Sequence, residues 1–216
     1  MNKAVIFDLD GTLLDTLPDI VDSVNIALKK FGFPARDSSE VRLFIGNGAR
    51  NLITKSLGDG VNQKTIDECL DYYNEIYTNS GSPKTHVFEG IEQLVNELKK
   101  RGFITAILTN KPQMTTDDVY ATYLSSLGFD MVVGQSEKVK CKPDKEAALN
   151  ILNKFNVPLD RAFLVGDGDA DVLTALNANI TGISALWGYR TKQELERVGA
   201  VRFANKPQDV FQFISI

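Results

Sequence analysis

The sequence contains a single histidine and only two cysteines among its 216 residues. A lone histidine, His86, argues against a metal site built from several histidines and against a Ser–His catalytic pair. Cys69 and Cys141 lack the short spacing of zinc ligands, and a cytoplasmic protein would keep both thiols reduced. Any chemistry is therefore expected to depend on carboxylates, lysine and hydroxyl groups.

Long apolar runs and an excess of positive charge are also missing. No apolar run approaches the roughly 20 residues that span a bilayer, and residues 1–3 lead directly into a strand without a signal-peptide pattern. The net charge of −4 provides no general attraction to nucleic acid or to an anionic membrane. We therefore expect a cytoplasmic protein without a nucleic-acid or membrane partner.

The apolar run Ala4-Val5-Ile6-Phe7 at the beginning of the chain stops abruptly at Asp8. Such a run with β-branched and aromatic members predicts a buried strand. Asp8, Asp10 and Gly11 follow it, and carboxylates at the carboxyl end of a strand are typical of ligand sites in open α/β folds. The alternative is a polar turn, since Asp-Gly is a common turn pair.

The remaining chain divides into two patterns. Residues 16–82 carry apolar side chains at helical spacing and are predicted to form an all-helical insert, a cap domain. After residue 83, strand-like and helical patterns alternate, which predicts an α/β fold with a doubly wound parallel sheet formed by residues 1–15 and 83–216. Strands are predicted over residues 103–108, 131–133, 162–165 and 180–186, and helices over 114–127 and 169–178.

Polar residues follow four of the predicted strands: Asp8 and Asp10, then Thr109 and Asn110, then Lys142, then Asp167 and Asp171. Because the carboxyl ends of parallel strands share one edge, these groups are expected to converge. Each has a simpler alternative: a turn at residues 109–110, a solvated surface lysine, and a helix N-cap or part of a calcium loop at residues 167–171. Their common order along the chain favours a single site.

These four segments resemble the four motifs of the haloacid dehalogenase superfamily, most of whose members are phosphatases. The resemblance covers nearly the whole chain, with the helical insert placed like the cap of that family. The turn at residues 46–48 and the segment at 186–190 are similar to those of its phosphoglycolate phosphatases. Gly168 departs from the pattern, because relatives usually carry serine at this position.

The resemblance implies a role for each residue of the motifs. Asp8 would be the nucleophile that forms an aspartyl-phosphate, and Asp10 the acid and base that serves both chemical steps. Thr109 and Asn110 would bind the phosphate oxygens through a hydroxyl and a backbone N–H. Lys142 would add positive charge at the transferred group, both binding phosphate and assisting catalysis.

A magnesium ion is the cofactor that the resemblance implies. Its ligands would be the side chains of Asp8 and Asp167 and the backbone carbonyl of Asp10, while Asp171 would act through a water molecule or orient Lys142. The expected function is magnesium-dependent hydrolysis of a small phosphorylated metabolite, with 2-phosphoglycolate as the leading candidate.

The glycine-rich segment at residues 46–50 in the predicted cap has two interpretations. It could be a flexible connection between two helices. Alternatively, Asn47, Gly48 and Arg50 could contact the substrate beyond its phosphate, since N–H groups that open a helix suit an anion and an arginine pairs with a carboxylate.

Other functions remain open at this point. A phosphomutase similar to β-phosphoglucomutase shares all four motifs and differs in how well the cap excludes water. A receiver-like module phosphorylated on aspartate is disfavoured by the helical insert and by the Asp8/Asp10 spacing. A dehalogenase needs no metal, so Asp10 and Asp167 disfavour it. The sequence does not distinguish a monomer from a homodimer.

Overall fold

The computed structural model describes residues 2–214 and places a six-stranded parallel sheet at the centre of the molecule. The sheet has the strand order β5-β4-β1-β6-β7-β8, and the short strands β2 and β3 form a separate antiparallel pair. The strand bounds are β1 (Lys3–Phe7), β2 (Leu14–Asp15), β3 (His86–Val87), β4 (Phe103–Pro112), β5 (Met131–Gln135), β6 (Ala162–Gly166), β7 (Thr181–Ala185) and β8 (Phe203–Ala204).

Helices cover both faces of the sheet, which confirms the predicted doubly wound α/β fold. β1 illustrates the reason: Val5 and Phe7 belong to one apolar cluster and Ala4 and Ile6 to the other, so the strand is buried on both faces. The helices are α1 (Leu17–Lys30), α2 (Ser38–Phe44), α3 (Gly48–Leu57), α4 (Gln63–Asn79), α5 (Ile91–Lys100), α6 (Gln113–Tyr123), α7 (Glu146–Lys154), α8 (Asp169–Ala178) and α9 (Lys192–Arg197).

The register of the sheet aligns the strand ends that carry the polar motifs. Phe7 at the end of β1 pairs with Ile107 of β4 on one side and with Val165 of β6 on the other. The residues that follow these three positions therefore emerge side by side at the carboxyl edge of the sheet. This alignment is what brings distant parts of the sequence to one place.

Helices α1 to α4 occupy the segment for which the sequence predicts an insert and enclose an apolar cluster of their own. The chain leaves the sheet domain through β2 and returns through β3, and these two strands pair with each other. Tyr189 from the sheet domain joins the cluster of the four helices. The boundary of the cap domain at residues 16–82 stays a prediction.

Several elements differ from their sequence-based predictions. α6 ends at Tyr123 and a separate 3₁₀ turn spans Ser125–Leu127, where one continuous helix is predicted. β4 extends to Pro112, beyond the apolar run, because β5 pairs with it again after a register shift. The sequence analysis missed α9 and β8, which are too short to show a periodic pattern. Within residues 2–214, no helix combines the length and the apolar character needed to cross a membrane.

Candidate active site

Asp8 lies at the carboxyl end of β1, buried against Lys142. The Lys142 ammonium lies 2.8 Å from Asp8 Oδ1 and 2.6 Å from Asp171 Oδ1, and its side chain is 1 % exposed. Burial and the Asp171 carboxylate raise the pKa of Asp8 well above its usual range, although Lys142 partly offsets them. Lys142 lies in the loop between β5 and α7. A hydrogen bond from its backbone N–H to Asn110 Oδ1, at 2.7 Å, holds this loop beside the site.

Asp167, which follows β6, is held by two donors. Thr12 Oγ1 donates to one carboxylate oxygen at 2.9 Å, and the backbone N–H of Tyr189 donates to the other at 2.8 Å. A Cβ at Gly11 or Gly188 would collide with this carboxylate, so glycine at both positions leaves room for it. Burial and Asp171 raise the pKa of Asp167 to about 7, against the effect of both hydrogen bonds.

The carboxylates of Asp8, Asp167 and Asp171 form a compact cluster that fits a divalent cation. One oxygen from each lies within 4.8 Å of the others, and all three residues are buried. Three carboxylates around the single Lys142 ammonium leave an excess of two negative charges when ionised. Hard oxygen donors with this charge excess suit Mg²⁺.

Asp10 is turned away from this cluster. Its Oδ1 accepts from Thr16 Oγ1 at 2.8 Å, and its two oxygens lie 3.0 and 2.9 Å from the Lys111 ammonium. Lys111 also contacts the Tyr77 hydroxyl at 3.2 Å. The sequence analysis missed Lys111, although its position directly after the Thr109-Asn110 motif was an available signal.

Thr109 and Asn110 lie at the end of the apolar part of β4, beside Asp8. The Asn110 side chain forms hydrogen bonds within the protein, because its amide donates to the backbone carbonyls of Gly46 and Lys142 at 2.9 and 3.0 Å. Its backbone N–H and the Thr109 hydroxyl are the groups that the resemblance assigns to phosphate. Asn110 therefore also connects the turn at residues 46–48, the cap turn, to the sheet.

A cavity that opens to solvent lies between the sheet edge and the cap, and its empty space, open solvent included, is about 580 Å³. Asp8 and Asp10 line it on the sheet side, and Gly48 lines it on the cap side. Among the described residues, its remaining lining is Ile20, Ile45, Gly46, Ala49, Leu52, Tyr73, Asn74, Tyr77, Thr109, Asn110, Lys111, Pro112 and Thr115.

Two predicted substrate-binding residues of the cap lie outside that lining set. Asn47 is exposed and precedes α3 as its N-cap residue. Arg50 is also exposed, and its guanidinium lies 2.7 Å from Asp67 Oδ1 in the neighbouring helix α4. Of the three, only Gly48 faces the cavity.

The segment after β7 connects the cap to the sheet. Arg190 donates to the backbone carbonyls of Arg42, Leu43 and Ile45 at the end of α2, with distances of 2.9 and 3.1 Å to the last two. The Tyr189 hydroxyl accepts from the backbone N–H groups of Thr16 and Leu17. Since the Tyr189 backbone also holds Asp167, the cap contacts and the acidic cluster share one segment.

Gly168, the departure from the motif, lies at the N-terminus of α8. Its backbone N–H donates to Asp171 Oδ2 at 3.0 Å. Its φ of −110° is available to any residue, and a Cβ would lie 3.3 Å from the same oxygen. A larger side chain would therefore require a small displacement of Asp171.

Comparison with known proteins places this site in a family. The sequence profile of haloacid dehalogenase-like hydrolases matches residues 5–185. A phosphoglycolate phosphatase of Vibrio cholerae is 32% identical over 193 residues, which cover 87% of this chain and 85% of that protein. Phosphoglycolate phosphatase 1 of Pseudomonas aeruginosa is 32% identical over 192 residues, covering 87% of this chain and 70% of that protein.

Solved structures agree with the sequence comparison. A haloacid dehalogenase-like hydrolase of Streptococcus pneumoniae superposes with a TM-score of 0.86 at 25% identity and 98% coverage of both chains. A protein of Lactobacillus delbrueckii subsp. bulgaricus shares the fold with a TM-score of 0.93 at 24% identity, covering 99% of both chains. The chain is an enzyme that belongs to the haloacid dehalogenase-like hydrolases and resembles the phosphoglycolate phosphatases among them.

Proposed function

We propose that this protein is a magnesium-dependent phosphatase that hydrolyses a small phosphorylated metabolite through an aspartyl-phosphate on Asp8, with 2-phosphoglycolate as the leading candidate. The observation that carries the proposal is the buried Asp8 carboxylate at the floor of a cavity, paired with Lys142. The names of the relatives in Vibrio and Pseudomonas support the substrate.

The first step transfers the phosphoryl group to Asp8. An Asp8 oxygen attacks phosphorus, the bond from phosphorus to the ester oxygen breaks, and Asp10 gives its proton to the departing oxygen. Thr109 and the Asn110 N–H donate to the phosphate oxygens, and Lys142 neutralises charge beside Asp8. The side chains of Asp8 and Asp167 and the backbone carbonyl of Asp10 would hold Mg²⁺, which would supply positive charge beside the phosphate.

The second step releases phosphate. A water molecule enters from the side that the leaving group vacated, gives a proton to Asp10 and attacks phosphorus, and the bond to Asp8 breaks. The turn after β1, where Gly11 adopts a φ of +83°, supports the assignment of both steps to Asp10. Asp171 orients Lys142 through their 2.6 Å contact.

The nucleophile is tested with Asp8→Asn, a nearly isosteric change. We expect loss of phosphate release from 2-phosphoglycolate in the presence of Mg²⁺ and loss of the phosphorylated enzyme detectable by intact mass. Asp22→Asn, at a half-exposed position on α1, is the matched control and should retain activity. Near-normal turnover by folded Asp8→Asn would refute the covalent route. If the unaltered enzyme transferred the phosphoryl group to a sugar hydroxyl without releasing phosphate, it would be a phosphomutase instead.

A further inference from the structure

We propose that Lys111 selects the substrate, by binding a second negative charge on the carbon skeleton of the phosphate ester, a carboxylate in the simplest case. This inference rests on the phosphatase function proposed above and assigns its specificity to one side chain. It concerns the part of the substrate that lies beyond the phosphate, whereas the motif residues act on the phosphate itself.

Lys111 stands out by its place in the cavity. Among the described residues that line the cavity it is the one cation, since Lys142 lies beneath Asp8 and is not part of the lining. Its side chain is 6 % exposed. The ammonium lies 4.6 Å from the centre of the Tyr77 ring, which stacks on Tyr73. The residue is therefore held in a fixed place rather than extended into solvent.

The buried Lys111 ammonium has polar partners in this environment. The Asp10 carboxylate lies 2.9 Å away and the Tyr77 hydroxyl 3.2 Å away. A carboxylate entering the same cavity loses water and requires a partner of opposite charge. The ammonium of Lys111 can supply that partner.

Binding of a substrate anion requires Lys111 to exchange one contact. A lysine ammonium has three N–H donors. The Lys111 ammonium already contacts both carboxylate oxygens of Asp10 and the Tyr77 hydroxyl. Asp10 has an independent partner, because Thr16 Oγ1 donates to its Oδ1 at 2.8 Å. A carboxylate can therefore replace Asp10 at Lys111 without leaving Asp10 free of hydrogen bonds.

Part of the cap side of the cavity is apolar. Ile20, Ile45, Ala49 and Leu52 offer no side-chain hydrogen-bond partner there, whereas Tyr73, Asn74 and Tyr77 of α4 provide its polar groups. Each hydroxyl of a sugar that is buried without a partner weakens binding. A two- or three-carbon acid presents one strongly polar group, and Lys111 is placed to receive it.

Arg50 is the rival cation, because it also lies close to the cap turn. Its guanidinium contacts Asp67, and its side chain is 56 % exposed. A substrate in the cavity would have to draw Arg50 away from Asp67 and across the surface. The two cations therefore make different predictions for the same pair of substrates.

The test compares 2-phosphoglycolate with the isosteric phosphate ester of glycolamide, in which a neutral amide replaces the carboxylate. We expect the unaltered enzyme to prefer the acid. Lys111→Met should reduce kcat/KM for the acid about 30-fold more than for the amide, while both fall because Asp10 also loses a partner. Lys111→Arg should retain a preference for the acid, and Arg50→Met should leave the ratio of the two substrates unchanged.

A binding measurement separates this inference from the phosphatase proposal. The Asp8→Asn protein with Mg²⁺ should bind 2-phosphoglycolate more tightly than the amide ester in calorimetry, and the added Lys111→Met change should remove that difference. This readout needs no turnover, so it remains valid if the phosphatase proposal fails. Equal losses for both ligands in Lys111→Met would overturn the inference, since Lys111 would then act only through Asp10. A shift of the ratio in Arg50→Met would assign the selection to Arg50.

Discussion

Asp8 and Asp10 are two residues apart, yet their carboxylates contact different cations. Asp8 lies against Lys142, whereas Asp10 lies against Lys111 and Thr16. Because each carboxylate has its own environment, one can act as a nucleophile while the other handles protons.

The role of Asp10 can be measured directly. We expect Asp10→Asn to slow both formation and breakdown of the phosphorylated enzyme, with a fall of about 10² to 10⁴ in kcat because general acid–base catalysis is lost. Rapid-quench kinetics with 2-phosphoglycolate and Mg²⁺ would resolve the two steps. Asp22→Asn, at the half-exposed position on α1, serves again as the control. A fall of less than about tenfold would mean that proton transfer to the leaving oxygen and from the attacking water does not depend on Asp10.

Lys142 is expected to matter for stability as well as for activity. Lys142→Met leaves Asp8 and Asp171 buried without their shared cation, and removing one partner of a buried ion pair costs about 3–5 kcal/mol. Urea unfolding without Mg²⁺ should show this decrease in the free energy of unfolding. Lys145→Met, at an exposed position, is the control. A decrease no larger than that of the control would show that the two carboxylates relax into other contacts.

At the scale of elements, the end of α2 depends on a side chain from the sheet domain. A helix leaves its last carbonyls without helical partners, and Arg190 contacts three carbonyls at this end. We expect Arg190→Met to reduce the free energy of unfolding by about 2–4 kcal/mol, because one buried and two part-buried carbonyls lose hydrogen bonds from a charged group. KM should also rise, since the cap loses a contact with the sheet.

The matching control for this prediction is Arg197→Met, which removes an exposed arginine from α9 nearby. Thermal unfolding and steady-state kinetics of both variants would provide the comparison. Equal stability of the two variants would contradict a role for Arg190 in holding α2.

The environment of Glu194 in α9 predicts that the free energy of unfolding depends on pH. Hydrogen bonds from the backbone N–H and hydroxyl of Thr191, together with Arg42, lower the pKa of Glu194 from 4.5 to about 2. A lowered pKa in the folded state stabilises the protein above pH 4.5, and this contribution is lost as the pH falls from about 4.5 to about 2. We expect Glu194→Gln to flatten the decrease in the free energy of unfolding over that interval.

The control for the pH dependence is Glu196→Gln in the same helix. The Glu196 carboxylate is 48 % exposed and lies 3.7 Å from Lys192. Chemical unfolding of the three proteins between pH 5 and pH 2 would test the expectation. If both variants lose stability with pH in the same way as the unaltered protein, the hydrogen bonds between Thr191 and Glu194 do not cause the pH dependence.

At the scale of the whole molecule, we expect metal binding to stabilise the folded chain. Asp8 and Asp167, the proposed side-chain ligands, follow two different strands of the sheet and come together only in the fold. At a concentration 100 times its Kd, Mg²⁺ should stabilise the protein by about 2.7 kcal/mol, which corresponds to an increase of about 5–10 °C in Tm.

Thermal scans with MgCl₂ and with NaCl at equal ionic strength would measure this effect. We expect Asp167→Asn to reduce the Mg²⁺-dependent shift and the chelator-sensitive activity together. An identical shift with NaCl, or full activity after exhaustive chelation, would refute the metal site and return the dehalogenase mechanism to consideration.

Much of the fold could be predicted from the sequence because its signals are local. An apolar run followed by Asp8, or by Thr109, marks a strand and its end without knowledge of the neighbours. A parallel sheet then brings these ends to one edge, as the pairing of Phe7 with Ile107 and Val165 shows. Short elements such as α9 and β8 were missed because they contain too few residues for a periodic pattern.

The sequence by itself determined the parallel sheet and the order of the four polar motifs along it. Only the tertiary structure decided which side chains face the cavity. Lys111 turns towards Asp10 and Tyr77, while Arg50 turns towards Asp67. The physical reason is that the direction of a long cationic side chain depends on the partners that packing brings near it. For both residues those partners come from other elements, and spacing along the chain does not encode them.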